Sequence, residues 1–472
     1  MQMILDTAQS IPGTRQLIAT HFRCPEELLP EFRLNRPLAG APGFFRIGED
    51  LRCFGQSSSC TPAPEVSHGL ADVAEHIEIS DSSVTLPFDP AQVISNLRNE
   101  RYIATMSRTA RTIAGGGLVR QLYYRLRPLL SVPVRKHLQR LYLRHWNRIP
   151  FPQWPVDRTV ENLFERFLIL AIKSNNLQRV PFIWFWPDAA PSATIVTHDV
   201  ETSKGRDFCS QLMDMNDFYG VKSSFQVVPE SRYSVPDTYL ANIHERGFEV
   251  AVHDLNHDGL LFADKTEFVR RSAEINRYGR QWNAKGFRSG ILYRNTDWYE
   301  GLEFLYDMSI PNVAHLDPQR GGCCTVFPFF VGDLVELPLT TIQDYSLFHI
   351  LKDHSISLWQ EQTRLILQKH GLISFLVHPD YIISEKEQAV YRQLLAYIQA
   401  QQAAGQTWIA LPREVAAWWR LRNNLTLVKS RNGWKIEGDG AERARVAYAS
   451  VIDGALHYEV VRPNMDTPQP VE

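Results

Sequence analysis

Two short clusters in the sequence carry residue types able to hold a metal ion and move protons. The first is T-H-D-V-E, which contains Asp199 and Glu201; the second is H-D-L-N-H, which begins with His253 and ends with His257. Each follows an apolar, β-branched run, residues 193–197 and 248–252, with the length and composition of a buried strand. A third run of this kind, residues 372–378, ends in His378. In a chain that alternates strand and helix, the carboxyl ends of neighbouring parallel strands share one face. These side chains can therefore converge although they lie far apart in sequence. A carboxylate with two histidines is a common ligand set for a catalytic zinc, with one position left for water. H-x-x-x-H or D-x-E alone arises by chance or in a solvated turn, so the weight lies in their conjunction at three strand ends. The plainer alternative is three strand-end histidines paired with neighbouring carboxylates and no metal.

These stretches resemble the motifs of the polysaccharide deacetylase family, also called the NodB-homology proteins or family 4 carbohydrate esterases. T-H-D-V-E (197–201) looks like the first motif, H-D-L-N-H (253–257) like the second, F-R-S-G (287–290) like the third and F-L-V-H (375–378) like the last. The resemblance covers about residues 191–420, roughly half of the chain. It implies a zinc ion, or another divalent metal such as Co2+, Ni2+ or Mn2+, held by Glu201, His253 and His257. Asp199 is then the base, its role and that of Glu201 being open to exchange, and His378 is the acid. Arg288 would hold the catalytic carboxylate ionised through charge-assisted hydrogen bonds. Asp317, in the glycine-rich stretch H-L-D-P-Q-R-G-G-C-C, would tune His378. Two positions depart from the common pattern. Val200 stands where a second adjacent aspartate is usual, and Gly290 where a proline follows the arginine of the third motif.

The elements that must position these residues follow a strand–loop–helix rhythm from residue 191 onward. Strands are expected at 193–197, 222–228, 248–252, 285–288, 335–340, 372–378 and 407–411. Helices are expected at 207–219, 238–246, 265–278, 297–307, 356–370, 386–400 and 414–421, two of the first three strands following a glycine, Gly220 and Gly247, suited to end the helix before it. The fold class read from this is α/β, a distorted (β/α) barrel of about seven units.

The remainder divides by composition. Residues 1–100 read as a mixed α/β accessory region and 101–190 as a basic helical segment and linker. The catalytic barrel spans 191–422, a small antiparallel β appendage 423–463 and a disordered tail 464–472. Between positions 101 and 156 there are eleven arginine and lysine residues and no acid. A helix over 134–147 would gather Leu138, Leu141 and Tyr142 on one stripe. It suits either an anionic membrane surface, at about 1 kcal/mol per basic residue near it, or packing on the barrel. The aromatic run around Trp184 and Trp186 suits a core wall or a sugar platform. Asn432-Gly433 and Asp453-Gly454 signal hairpins.

With 472 residues, a net charge of −2 and 44% apolar residues, nothing global points to nucleic acid. The six cysteines lack C-x-x-C spacing and suit a reducing compartment. The first residues carry no signal-peptide pattern and no run approaches the roughly 20 apolar residues of a membrane span. The expected location is therefore cytoplasmic, with peripheral contact to the inner membrane face through residues 101–148 as an option. The activity expected is N-deacetylation of an N-acetylated sugar, as a lipid- or nucleotide-linked precursor of a surface polysaccharide. A non-catalytic sugar-binding scaffold, or a deacylase for a formyl or O-acetyl group, are the rivals.

Overall fold

The run A-T-I-V-T-H-D-V is buried along its whole length, which only a strand flanked on both edges and covered on both faces can satisfy. In the computed structural model, which describes residues 9–66, 69–105, 142–431 and 433–462, it forms β1 (Ala193–Val200) within a nine-stranded sheet. The other parallel strands are β2 (Ser224–Val227), β3 (Glu249–His253), β4 (Gly286–Arg288), β5 (Tyr306–Asp307), β6 (Leu334–Glu336), β7 (Leu372–Leu376) and β8 (Trp408–Ile409). Their order is β6-β5-β4-β3-β2-β1-β7, and β8 pairs with the first two residues of β1, an edge that β2 leaves open. Helices Ser203–Phe218, Asp237–Glu245, Lys265–Gln281, Ser357–Leu367, Glu385–Ala403 and Pro412–Asn424 alternate with the strands. This is the distorted α/β barrel expected from the sequence.

Closure of the barrel is made by side chains. After β6 the chain runs beside β7, and Thr340 Oγ1 donates to Leu372 O at 2.8 Å and accepts from Ser374 N at 2.9 Å. Thr341 Oγ1 donates to Ser374 O at 2.8 Å. Two threonines thus replace a backbone ladder along this seam.

Residues 297–307, expected as a helix, form instead a short 3-10 turn, Thr296–Gly301, followed by β5. Leu302, Phe304 and Tyr306 alternate with polar or less buried neighbours, a period of two that favours extended chain. The expected helix over 134–147 falls largely outside the described residues, as does the tail 464–472. Within the described part, Trp146–Arg148 is a single 3-10 turn.

Outside the barrel, residues 9–105 contribute a four-stranded sheet and a hairpin, Gly43–Ile47 with Leu51–Gly55. The aromatic strand Val180–Ile183 pairs antiparallel with Val446–Ile452, which forms a hairpin with Ala455–Val460 through Asp453 and Gly454, both at positive φ. The Trp184 and Trp186 indoles are buried core, 2% and 0% exposed. Buried Arg422 fastens these pieces, donating to the carbonyls of Ile183, Trp184, His21 and Phe22. All six cysteines are free thiols. Among the described residues no helix is long and apolar enough to cross a membrane.

Replacing Thr340 and Thr341 together by valine strands one buried amide and two carbonyls at nearly constant volume. At about 1 kcal/mol per lost hydrogen bond, the double variant should lose about 3 kcal/mol of unfolding free energy by urea titration. Single variants should each lose less.

Candidate active site

Asp199 and Glu201 are two residues apart at the end of an extended strand, so they share a face while His198 and Val200 point to the other. His198 accordingly turns into the core, where its Nδ1 meets Val377 O at 2.8 Å, and burial lowers its pKa to about 4. Val200 is fully buried and cannot reach the site. Because the strand stays extended through it, the second acid falls at 201. Glu201 is held by its own backbone: its N–H donates to Asp380 Oδ2 at 3.1 Å, and Asp380 also takes the Thr202 hydroxyl. Tyr381 OH lies 3.4 Å from Glu201 Oε2.

His253 ends β3, next to Arg288 in the register of β4. Its Nδ1–H donates to Arg288 O at 3.1 Å, which fixes the tautomer and leaves Nε2 as the lone-pair nitrogen. His257 is on a loop rather than a helix, with both Asp254 and His257 at positive φ. Two contacts hold that loop. From the helix Lys265–Gln281, buried Arg271 donates to Asn256 Oδ1 at 3.0 Å and to both oxygens of Asp258, at 2.7 and 2.8 Å, gripping the residues on either side of His257. From below, Gly290 approaches so closely that a β-carbon there would lie 2.5 Å from Asp254 Oδ2 and 3.0 Å from His257 Cδ2. The glycine at the third motif is what this loop demands.

The result is a cluster of one oxygen from Glu201 and one nitrogen each from His253 and His257, all within 4.8 Å of one another. Glu201 Oε1 and His257 Nε2 are 3.0 Å apart, yet the approach is not aligned as a hydrogen bond. His253 Nε2 and both nitrogens of His257 are buried without a hydrogen-bond partner. Orphaned imidazole nitrogens are costly unless something occupies them, and two imidazoles with one carboxylate are a donor set for zinc or a similar divalent ion. The residues present fit such a metal.

Asp199 stands beside this cluster. Arg288, fully buried, donates from Nη1 to Asp199 Oδ1 at 2.7 Å and to Thr197 Oγ1 at 3.0 Å, and from Nε to Met308 O at 3.0 Å. Burial alone would raise the Asp199 carboxyl; the Arg288 charge, with His253 and His378, holds it below the usual carboxylate range. Burial likewise opposes ionisation of Glu201, and His257 with His378 keeps it well below that range. Asp199 Oδ2 lies 3.5 Å from His253 Nε2 and 4.0 Å from His378 Nε2.

His378 follows β7, with Nε2 3.8 Å from Glu201 Oε1. Its partner is Asp344, not Asp317. Asp344 Oδ1 accepts from His378 Nδ1 at 2.6 Å and Oδ2 from His378 N at 2.8 Å. Burial works against the imidazolium, but Asp344, with Glu201 and Asp199, lifts His378 up to about 10. Burial also raises the Asp344 carboxyl, against the opposing pull of His378. Asp317 accepts instead from Gln343 Nε2 at 2.7 Å and lines a recess with Trp154 and Thr341. Asp344 opens the helical turn that begins just after Gln343, so it meets His378 while Asp317 is taken by the Gln343 side chain. Cys323 and Cys324 are buried, their thiols pushed up by burial, and take no part in the cluster.

No protein-family model and no curated protein matches the sequence. Solved structures similar in fold include a putative polysaccharide deacetylase from Mycobacterium smegmatis, 19% identical, covering 53% of this chain and 97% of its own, with a TM-score of 0.40. Puue allantoinase is 13% identical over 50% of this chain and 92% of its own, at a TM-score of 0.41. A family 4 acetyl xylan esterase from Clostridium thermocellum, in complex with a cobalt ion, is 14% identical over 48% and 91%, at 0.30.

Gly290→Ala should displace Asp254 and His257 while leaving the strands intact. Expected is a loss of zinc affinity of about tenfold or more, the size typical of disturbed groups behind a metal ligand, measured by chelator competition. Unchanged affinity would show that the loop has slack at this point.

Proposed function

We propose that this chain is a metal-dependent N-deacetylase that hydrolyses the acetamide of an N-acetylated sugar. The observation that carries the reading is the joint geometry of three sets: the Glu201, His253 and His257 donors, the Asp199–Arg288 pair and the Asp344–His378 pair, all at the carboxyl ends of neighbouring strands. A divalent metal bound there supplies a Lewis acid that makes water a nucleophile near neutral pH. The protein's residues divide the proton transfers. Asp199, kept ionised by Arg288, accepts a proton from the attacking water. His378, kept protonated by Asp344, donates from Nε2 to the departing nitrogen, so that the amine leaves neutral. Opposite displacement of two pKa values across one site is the usual signature of such a division.

The sequence-based preference for a lipid- or nucleotide-linked precursor in the cytoplasm, within surface polysaccharide biosynthesis, belongs to this proposal. What supports it is the basic, acid-free composition of the segment 101–148. Deacetylation of finished polymer but of no such precursor would count against it.

The deciding experiment is elemental analysis of the purified protein beside His253→Ala and Glu201→Ala, followed by product analysis on acetamido sugars. About one divalent metal per chain, lost in both variants, together with acetate and a free amine, is expected. A free hydroxyl would reassign the reaction to an ester. A wild type that takes up no added metal would overturn the reading.

A pH profile supplies a second test. Asp344 is the largest contributor raising His378, so Asp344→Asn lets the imidazolium lose its proton at lower pH. The alkaline limb of kcat/KM should then move down by about one pH unit or more, with the acidic limb, set by Asp199, much less affected.

A further inference from the structure

The site is nearly sealed. The side chains of Asp199, His253, His257 and His378 are between 1% and 5% exposed, and Glu201 alone reaches 18%. A substrate must therefore come in past Glu201. The side chain standing there is Tyr381, which reaches toward Glu201 Oε2 and sets its ring 5.0 Å from the His378 ring. Two more rings pack on Tyr381. Tyr345 lies 5.2 Å from it and His349 5.3 Å, and the Tyr345 and His349 rings are themselves 5.2 Å apart. All three are half-buried, so each keeps an open surface. Tilts of 49°, 68° and 89° mean that each ring is braced by its neighbours rather than stacked flat on them.

The backbone reinforces this placement. Tyr345 immediately follows Asp344, the partner of His378, and leads into Ser346–Leu351, a π-helical turn closed by Lys352 at positive φ. π-Helical turns are rare and concentrate at functional sites. Here the wide turn sets His349 against Tyr345 and hangs both rings on the segment that holds the catalytic acid.

We propose that Tyr345, His349 and Tyr381 form a wall on which the pyranose ring bearing the acetamide is stacked, so that the site takes sugar amides in preference to acyclic ones. The inference rests on the deacetylase reading and adds to it the residues that choose the ring. One face of a pyranose is lined with C–H groups and suits an aromatic wall, while its hydroxyls remain for polar partners. Rings braced by one another also lose little freedom on binding, which favours affinity.

The test uses the zinc-loaded full-length chain and chitobiose, the deacetylated disaccharide, as a probe that binds without turnover. Calorimetric Kd values are compared for wild type, Tyr345→Ala, His349→Ala and Tyr345→Phe. Each alanine variant should bind about tenfold more weakly, the equivalent of one aromatic contact. Tyr345→Phe should stay near wild type, and zinc affinity should be unchanged in all. Equal Kd values across the set, or no binding of chitobiose to wild type, would overturn the proposal. Ring-dependent binding without acetate release from N,N′-diacetylchitobiose would leave the wall standing and remove the deacetylase reading. Acetate release with alanine variants that bind normally would do the reverse.

Discussion

Arg288 is the residue through which the site is assembled. Its guanidinium joins β4 to β1 through Asp199 and Thr197, and to the chain just beyond β5 through Met308 O. Its own carbonyl accepts from both His253 Nδ1 and Asp254 N, so the first imidazole and the loop leading to the second depend on the same residue. A guanidinium with no solvent exposure is costly to bury, and only partners on several sides make the site worth its desolvation. Removing one partner of such a pair leaves a bare buried charge, at about 3–5 kcal/mol. The geometry of Asp199, of the Glu201, His253 and His257 cluster and of the strand ends is therefore a single interdependent set.

Much of the barrel that lies outside the sheet serves to hold its loops. Glu100 pairs with Arg294, and its carboxylate also takes the Gly322 amide. Gln319 exchanges two hydrogen bonds with the backbone of Arg294, so the loop after β4 and the loop before β6 are tied together and then to residues preceding the basic segment. Asp157, just beyond the stretch I-P-F-P-Q-W-P (149–155), exchanges hydrogen bonds with Asn312 through its backbone and caps the turn at Thr159 with its carboxylate. The described residues on the N-terminal side of the barrel thus brace the loops around the Glu201, His253 and His257 cluster.

The strand ends were legible because two periodicities coincided there. Asp199 and Glu201 are separated by two in an extended run, and apolar β-branched stretches announce their own termini. Strand ends and spacing pointed to Asp199, Glu201, His253, His257 and His378 as one cluster, whereas the choice of Glu201 over Asp199 as metal donor and the place of Arg288 came from the family resemblance. Asp344 was not found although it too follows an apolar strand, because sequence does not say which of several strand-end acids faces a given histidine. Asp317 meets Gln343 and Asp344 meets His378, partners that only the folded chain brings together. Arg271 was invisible for a related reason: on its helix it reads as one more surface charge, and only the fold brings it to Asn256 and Asp258. The departures at Val200 and Gly290 became intelligible once the strand direction and the approach to Asp254 were known.

The seam closed by Thr340 and Thr341 has a mechanical consequence. A backbone ladder resists shear along its whole length, whereas two hydroxyls form a joint with a definite compliance. His378 lies on one side of that joint and Asp344 on the other, so the acid pair is itself a clasp across it. The hold of Asp344 on the His378 ring is therefore only as firm as the spacing of this seam, because their attraction falls as the two sides separate.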